Sequence, residues 1–321
     1  MTTLFCAKST ADEVLAGTKL INKRYLVTGV SSGIGLETAR SLVAHGATVI
    51  GAVRDIAKAE LASGGIKTSA LNGGGKFELV ELDLGSLASV RACANYLLEQ
   101  GEHFDGIIAN AGVMATPFGK TDDGFETQFG INYVGHFALI NMLMPLLVKG
   151  GRVIVLSSQA HRVADIDLVD PNFDSQDYHP FVAYGRSKTA TTLFAKELDQ
   201  RYREKGIRAA SVMPGNSLTE LPRNFSQEEL QGLFETVGKA RAEAGLPPGE
   251  LKEISQAAAT SVWAAVVADM NEIGGLYLED CAVSPVNAQP NPFADGVMPY
   301  ALDPVSAKKL WDWTENAISK R

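Results

Sequence analysis

Tyr184-Gly-Arg-Ser-Lys188 sets a phenol and an ammonium four residues apart. On a helix that spacing stacks the two side chains on one face, a single turn from each other. A phenol of unperturbed pKa about 10 is a poor proton donor or base at neutral pH, and a cation within about 4 to 6 Å favours its ionised form. Lys188 is therefore a candidate tuner of an acid/base tyrosine. Such a pair also occurs on helices that do no chemistry, so the reading depends on what the rest of the chain brings to it.

The elements around the pair supply a context. Tyr25 to Thr28 is a short apolar strand, closed by Gly29-Val-Ser31-Ser32-Gly33-Ile34-Gly35 and followed by the helical pattern Leu36 to Ala44. Strand, glycine turn and helix form a phosphate-binding unit: glycines let backbone approach a pyrophosphate, and the helix N-terminus offers free N–H groups to the anion. A second strand, Ala47 to Val53, ends where a dinucleotide fold places an acidic residue on the ribose 2′-hydroxyl for NAD. Here Val53 is followed by Arg54, and then by Asp55. A guanidinium without a carboxylate at Val53 suits a 2′-phosphate, so charge complementarity favours NADP(H) over NAD(H).

Further strands are expected at Phe77 to Leu82, ending in Asp83-Leu84, and at Phe104 to Ala109, ending in Asn110-Ala111-Gly112. The segment from about Gly124 to Val148 reads as an apolar helix carrying the polar Asn132, and Gly151 to Leu156 as a strand ending in Ser157-Ser158. An Asp-rich loop from Val163 to Pro180 leads into the Tyr184 helix. Ile207 to Val212 is a sixth strand, closed by Met213-Pro214-Gly215 and running on to Thr219; a seventh lies at Leu276 to Leu278. Alternating strands and helices imply a doubly wound, mostly parallel α/β sheet of about seven strands, Rossmann-like, whose ligands sit at the carboxyl ends of the strands. Asp83, Asn110 and Ser158 all occupy such ends.

One domain is expected from residue 23 to 321, preceded by an N-terminal extension over 1–22 in which Ser9 or Thr10 caps a short helix. Residues 62–75 read as a flexible surface connection. The polar insertion 220–249 is placed to act as a lid, and Asp303-Pro304 opens a C-terminal amphipathic helix over 304–319 whose Leu310 and Trp311 pack back onto the body. The formal net charge of -8 argues against a nucleic-acid partner, and three scattered cysteines with no ligand-like cluster argue against disulfides and a bound metal. The N-terminus does not read as a signal peptide and no stretch reads as a membrane span, so the compartment expected is the cytoplasm.

In this order the motifs resemble the short-chain dehydrogenase/reductase family over about Lys23 to Leu278, and most nearly its retinol dehydrogenase-type branch and bacterial alcohol dehydrogenase/carbonyl reductase relatives. The resemblance implies that Ser158 holds a substrate carbonyl, Tyr184 exchanges the proton, Lys188 binds the nicotinamide ribose and lowers the tyrosine pKa, and Asn132 supports a water-linked proton relay. It implies a cofactor site at Gly29, Ser31, Ser32, Gly33, Ile34, Gly35, Arg54, Asp83, Leu84, Asn110, Ala111 and Gly112. Tyr184, Lys188, Pro214, Gly215 and Thr219 complete that site. The expected function is an NADP-dependent interconversion of a secondary alcohol and a ketone, on a large apolar small-molecule substrate. The alternatives are an NAD-preferring dehydrogenase of the same family and a non-catalytic dinucleotide-sensing protein. Family members commonly pair through the helices bearing Asn132 and Tyr184, so a homo-oligomer is also expected as an option. Two departures stand out: Ser32 occupies a turn position that is basic in many NADP enzymes of the family, and the interval from Ser158 to Tyr184 is long, which implies a remodelled substrate mouth.

Overall fold

A computed structural model describes residues 5–217, 227–287, 291 and 293–321. Seven strands run parallel: β1 (Arg24–Thr28), β2 (Thr48–Val53), β3 (Lys76–Glu81), β4 (Phe104–Ala109), β5 (Leu147–Leu156), β6 (Arg208–Met213) and β7 (Tyr277–Glu279). An eighth, β8 (Ala282–Val283), pairs antiparallel with β7 and was not expected. Its two-residue connection, Asp280-Cys281, has φ of 54° and 56°. Two positive φ values in succession match the twist of a tight hairpin, here without the glycine that usually signals one.

The strand order is β3-β2-β1-β4-β5-β6-β7-β8. The winding reverses between β1 and β4, and at such a switch point the loops leaving two neighbouring strands diverge and open a crevice. The turns that follow Thr28 and Ala109 are the two walls of that crevice. In β1, Leu26 enters the core on one face of the sheet, while Tyr25 and Val27 enter the core on the other, as period-two alternation requires.

Residues 62–75 are helical, contrary to the expectation of a flexible connection. The helix Gly64–Gly73 buries Ile66 and Ala70, four apart on one face, and ends on Gly74 in the left-handed conformation at φ 75°. The glycines there serve close packing: a Cβ on Gly73 would lie 2.1 Å from the Ala44 carbonyl oxygen. At the N-terminus, Thr10 and Glu13 form a capping box for the helix Ala11–Leu15. That helix buries Ala11, Val14 and Leu15 in the same core as Val262 and Leu42, so residues 11–15 are built into the body.

The helical run Thr127–Leu146 is 20 residues long and apolar enough to cross a membrane by length and composition, where the sequence reading expected no such stretch. In the fold, 78% of its most apolar window is buried, as in a core helix. It contains a π-helical turn, Gly130–Val134, in which the Gly135 N–H reaches back to the Gly130 carbonyl. The helix Pro180–Tyr202 lies beside it, and the C-terminal helix Pro304–Ile318 packs against the latter. Trp311 joins the three: its ring is 4.8 Å from Phe137 and 5.8 Å from Phe194, with the Arg201 guanidinium 4.3 Å from its centroid. Truncating a fully packed tryptophan removes its buried area and leaves a cavity. Trp311→Ala is expected to lower unfolding free energy by about 3 to 5 kcal/mol, measured by denaturant titration. A loss under about 1 kcal/mol would mean the C-terminal helix is not held by this contact.

Candidate active site

The glycine turn fits a dinucleotide. Gly29 has φ +76°, and a Cβ there would lie 2.9 Å from Ala111 Cα. A Cβ on Gly35 would lie 2.3 Å from both Asn110 Nδ2 and the Gly29 carbonyl oxygen. The helix Gly33–Ala44 has no side-chain cap at Ser32 and no acid in its first turn, so its N-terminal dipole faces the crevice unopposed. Asn110 locks this turn to β4: its Nδ2 donates to the Thr28 carbonyl at 2.8 Å. The Thr28 hydroxyl accepts the N–H groups of Asn110 and Ala111 at 3.0 and 2.9 Å. Asp83 does not cap the helix that follows it; its Oδ1 accepts the Gly85 N–H, while Asp123 caps Leu87.

One cavity of about 1280 Å³ joins these walls. Gly29, Ser31, Ser32, Gly33, Ile34 and Gly35 line it, with Arg54, Asp83, Leu84, Asn110, Ala111 and Gly112. Ser158, Tyr184, Lys188, Pro214 and Gly215 line it too, so nearly every sequence-expected residue meets there. Thr219 lies outside the described residues. Asn132 sits behind the wall: its Oδ1 accepts from the Val113 N–H at 2.8 Å, and its Nδ2 donates to the Val113 carbonyl and to Ser187 Oγ. Its side chain is thus engaged by protein partners on both its oxygen and its nitrogen. Met114, Val163, Phe181, Val237, Leu246 and Phe293 give the far end an apolar wall, two of them from the insertion. Of that insertion, 220–226 fall outside the described residues and Gln227–Glu243 is helical.

Ser157 and Ser158 divide the work of the pair. Ser157 Oγ donates to the Lys188 carbonyl at 2.9 Å, a buried structural bond, whereas Ser158 lines the cavity with Tyr184 and its Oγ accepts the Ala160 N–H at 3.1 Å. Lys188 Nζ donates to the Leu156 carbonyl at 2.9 Å and lies 5.8 Å from the Tyr184 ring centroid. Burial pushes the Tyr184 phenol up to about 12, with the Ser158 hydroxyl working against it, and pushes Lys188 down to about 8. The sequence argument expected Lys188 to lower the tyrosine; in the protein without cofactor, burial sets the direction for both groups. The phenol therefore stands protonated at neutral pH, the form that can give up a proton.

The sequence reading passed over two histidines close behind candidate residues. His136 Nδ1 lies 3.0 Å from the Asn132 carbonyl oxygen, and His161 Nδ1 lies 2.7 Å from that of Ser158. The signal available was a lone histidine within one helical turn of a candidate residue in an apolar stretch. Gln159 and Asn216, which join across the cavity mouth at 2.7 Å, were also missed. Burial pushes both imidazoles down to about 4. Each folded value lies below the unfolded one of about 6.5, so the unfolded chain binds the extra protons as pH falls. Their effect is nil well above pH 6.5 and becomes progressively destabilising towards pH 4. Glu126 and Glu279, which burial pushes up, act in the opposite sense in the lower part of that window. The difference between proteins isolates the histidines: the unfolding midpoint of the wild type should fall more steeply from pH 6.5 to 4 than that of His136→Asn/His161→Asn. Parallel curves would contradict the assignment of buried neutral imidazoles.

The comparisons with known proteins agree with this geometry. The family model described as short chain dehydrogenase matches residues 23–230. Among curated proteins, the short-chain dehydrogenase/reductase prx1 of Penicillium roqueforti is 37% identical over 316 residues, covering 95% of this chain and 89% of that protein. Retinol dehydrogenase 14 of Mus musculus is 36% identical over 304 residues, covering 91% and 85%. Among solved structures, an uncharacterised protein from Mycobacterium Paratuberculosis superposes with a TM-score of 0.71 at 33% identity, covering 94% of this chain and 95% of that one. The Pseudomonas aeruginosa RhlG/NADP active-site complex shares the fold at a TM-score of 0.62 and 22% identity, covering 81% and 95%. With a glycine cradle at the sheet's switch point and a serine, a tyrosine and a lysine on the same cavity, this chain belongs to the short-chain dehydrogenase/reductase family, NAD(P)(H)-dependent oxidoreductases acting on CH–OH and C=O groups.

Proposed function

We propose that the protein is an NADP(H)-dependent carbonyl reductase/alcohol dehydrogenase acting on a large, apolar ketone or secondary alcohol. The observation that carries this reading is the single cavity on which Ser158, Tyr184 and Lys188 converge, with the dinucleotide cradle at one end and an apolar wall at the other. A bound nicotinamide would supply or accept the hydride, which is the part of the chemistry the protein leaves to its cofactor. As hydride reaches a carbonyl carbon, negative charge builds on its oxygen, and that oxygen needs donors already in place. The Ser158 hydroxyl serves as one and the protonated Tyr184 phenol as the other, the latter delivering the proton. Lys188 holds the ribose and supplies the positive charge that steadies the phenolate left behind. In the oxidative direction the phenol must first lose its proton. The insertion 220–249 acts as the lid of the apolar end.

Arg54 carries the cofactor preference. It lines the cavity at the end of β2, beside the apolar Val53. Asp55, the next residue, turns to the helix that follows: its Oδ1 accepts the Lys58 N–H at 2.9 Å. That leaves the guanidinium as the charge offered to a 2′-phosphate. The rival within the family is an NAD-preferring dehydrogenase, and outside enzymology a dinucleotide sensor without turnover.

NADPH oxidation is expected with a panel of aryl and alicyclic ketones, and Tyr184→Phe should lower kcat by about 100-fold or more. Retained turnover in that variant would sink the mechanism, and cofactor binding without turnover across the panel would favour the sensor. Separately, Arg54→Ala should weaken NADPH binding roughly tenfold or more while leaving NADH binding nearly unchanged. An unaltered ratio of the two dissociation constants would dismiss Arg54 as the selector.

A further inference from the structure

Two buried histidines make the same contact in two places. His136 follows Asn132 by four residues in the chain, with Nδ1 on the Asn132 carbonyl at 3.0 Å and Nε2 on Thr28 Oγ1 at 2.9 Å. The Thr28 oxygen already accepts two backbone N–H groups, from Asn110 and Ala111. A hydroxyl has two lone pairs and one proton, so what Thr28 has left for the imidazole is its proton. Nε2 must accept it, which places the ring proton on Nδ1, donating to Asn132. His161 follows Ser158 by three, with Nδ1 on the Ser158 carbonyl at 2.7 Å. The Met298 N–H donates to His161 Nε2 at 3.1 Å, so that nitrogen is also an acceptor and the proton is again on Nδ1.

We propose that His136 and His161 are paired positioning residues. Each uses Nδ1–H to fix the backbone of a residue in the catalytic set and Nε2 to tie that residue to one wall of the cavity. His136 ties Asn132 to the Thr28–Asn110 junction that shapes the dinucleotide cradle. His161 ties Ser158 to the segment around Met298, which two more bonds draw in: Tyr300 donates its hydroxyl proton to the His161 carbonyl at 2.6 Å, and Arg162 Nε donates to the Gly296 carbonyl at 2.8 Å. Displacing the cradle would therefore move Asn132, and displacing the far wall would move Ser158. An apolar side chain would fill either site without the cost of burying polar nitrogens, so packing alone does not account for the choice of histidine. The proposal rests on the reading of Asn132 and Ser158 as members of the catalytic set.

Asparagine places an N–H where Nδ1 sits, whereas glutamine reaches only the Nε2 position, so the two substitutions separate the inner bond from the outer one. Holoenzyme variants His136→Asn, His136→Gln, His161→Asn and His161→Gln would be compared by thermal midpoint, kcat and KM. Each Gln variant should lose about tenfold in kcat, and each Asn variant no more than about threefold, at matched thermal midpoint. KM should rise for NADPH in the His136 variants and for the ketone in the His161 variants. Gln variants as active as wild type, or Asn variants no better than Gln, would overturn the proposal. Nitrogen-15 NMR of labelled histidine in the wild-type protein decides the matter even if a variant does not fold: Nδ1–H in both rings supports it, and Nε2–H in either overturns it. Tyr184→Phe is the control. If that variant keeps its turnover, the catalytic reading itself fails; if it is inactive while the Gln variants match wild type, the histidine proposal alone fails.

Discussion

The hydroxyl of Thr28 sits where the sheet changes its winding direction, and the site depends on what it holds. It accepts the N–H groups of Asn110 and Ala111 and contacts His136 Nε2, so one oxygen joins β1, the turn after β4 and the helix of Asn132. It is fully buried, and the loss of any partner would leave a polar group without water to replace it. A side chain chosen for strand propensity alone could not fill this position, because the valine of the same shape brings no donor or acceptor. The glycine cradle keeps its shape through this junction, which Asn110 braces while also lining the cavity.

Much of the architecture was legible because strong local signals agreed with one another. Short apolar runs were closed by polar or glycine-bearing turns, as at Gly29, Asp83 and Asn110, and the phenol–ammonium spacing fell on a helix that reached the same crevice. Where signals conflicted, the sequence misled. Residues 62–75 hold five glycines, which by propensity oppose a helix, yet Ile66 and Ala70 anchor one to the body and the close approach of Gly73 to Ala44 makes its missing Cβ an asset. β8 is two residues long, too short for any periodicity to register. His136 and His161 belong to no motif, and only three-dimensional partners give them meaning.

The electrostatics of Tyr184 and Lys188 mark the limit of reasoning from spacing. Four residues on a helix fix proximity, but the balance between attraction and desolvation depends on burial, and burial is set by chains far away in sequence. With Tyr184 and Lys188 both shut away from water, the phenol rises and the ammonium falls. Spacing alone gives the attraction between the two groups and not the burial that opposes it.

The docking of the first helix onto late parts of the chain bears on how the protein is made. Gln256 Nε2 donates to the Lys8 carbonyl at 3.1 Å across 248 residues, and Ala11 to Leu15 share a core with Ala258, Ala259 and Val262. The helix Ala11–Leu15 therefore completes its seat only when an element far later in the sequence is in place. Its contacts with the helix Gly33–Ala44, Leu42 among them, join near neighbours in sequence, whereas those with residues 256–262 must first meet the entropy of closing a long loop. The helix is thus seated partly by its sequence neighbours and partly by a distant element, so its full ordering waits on the closure of that long loop.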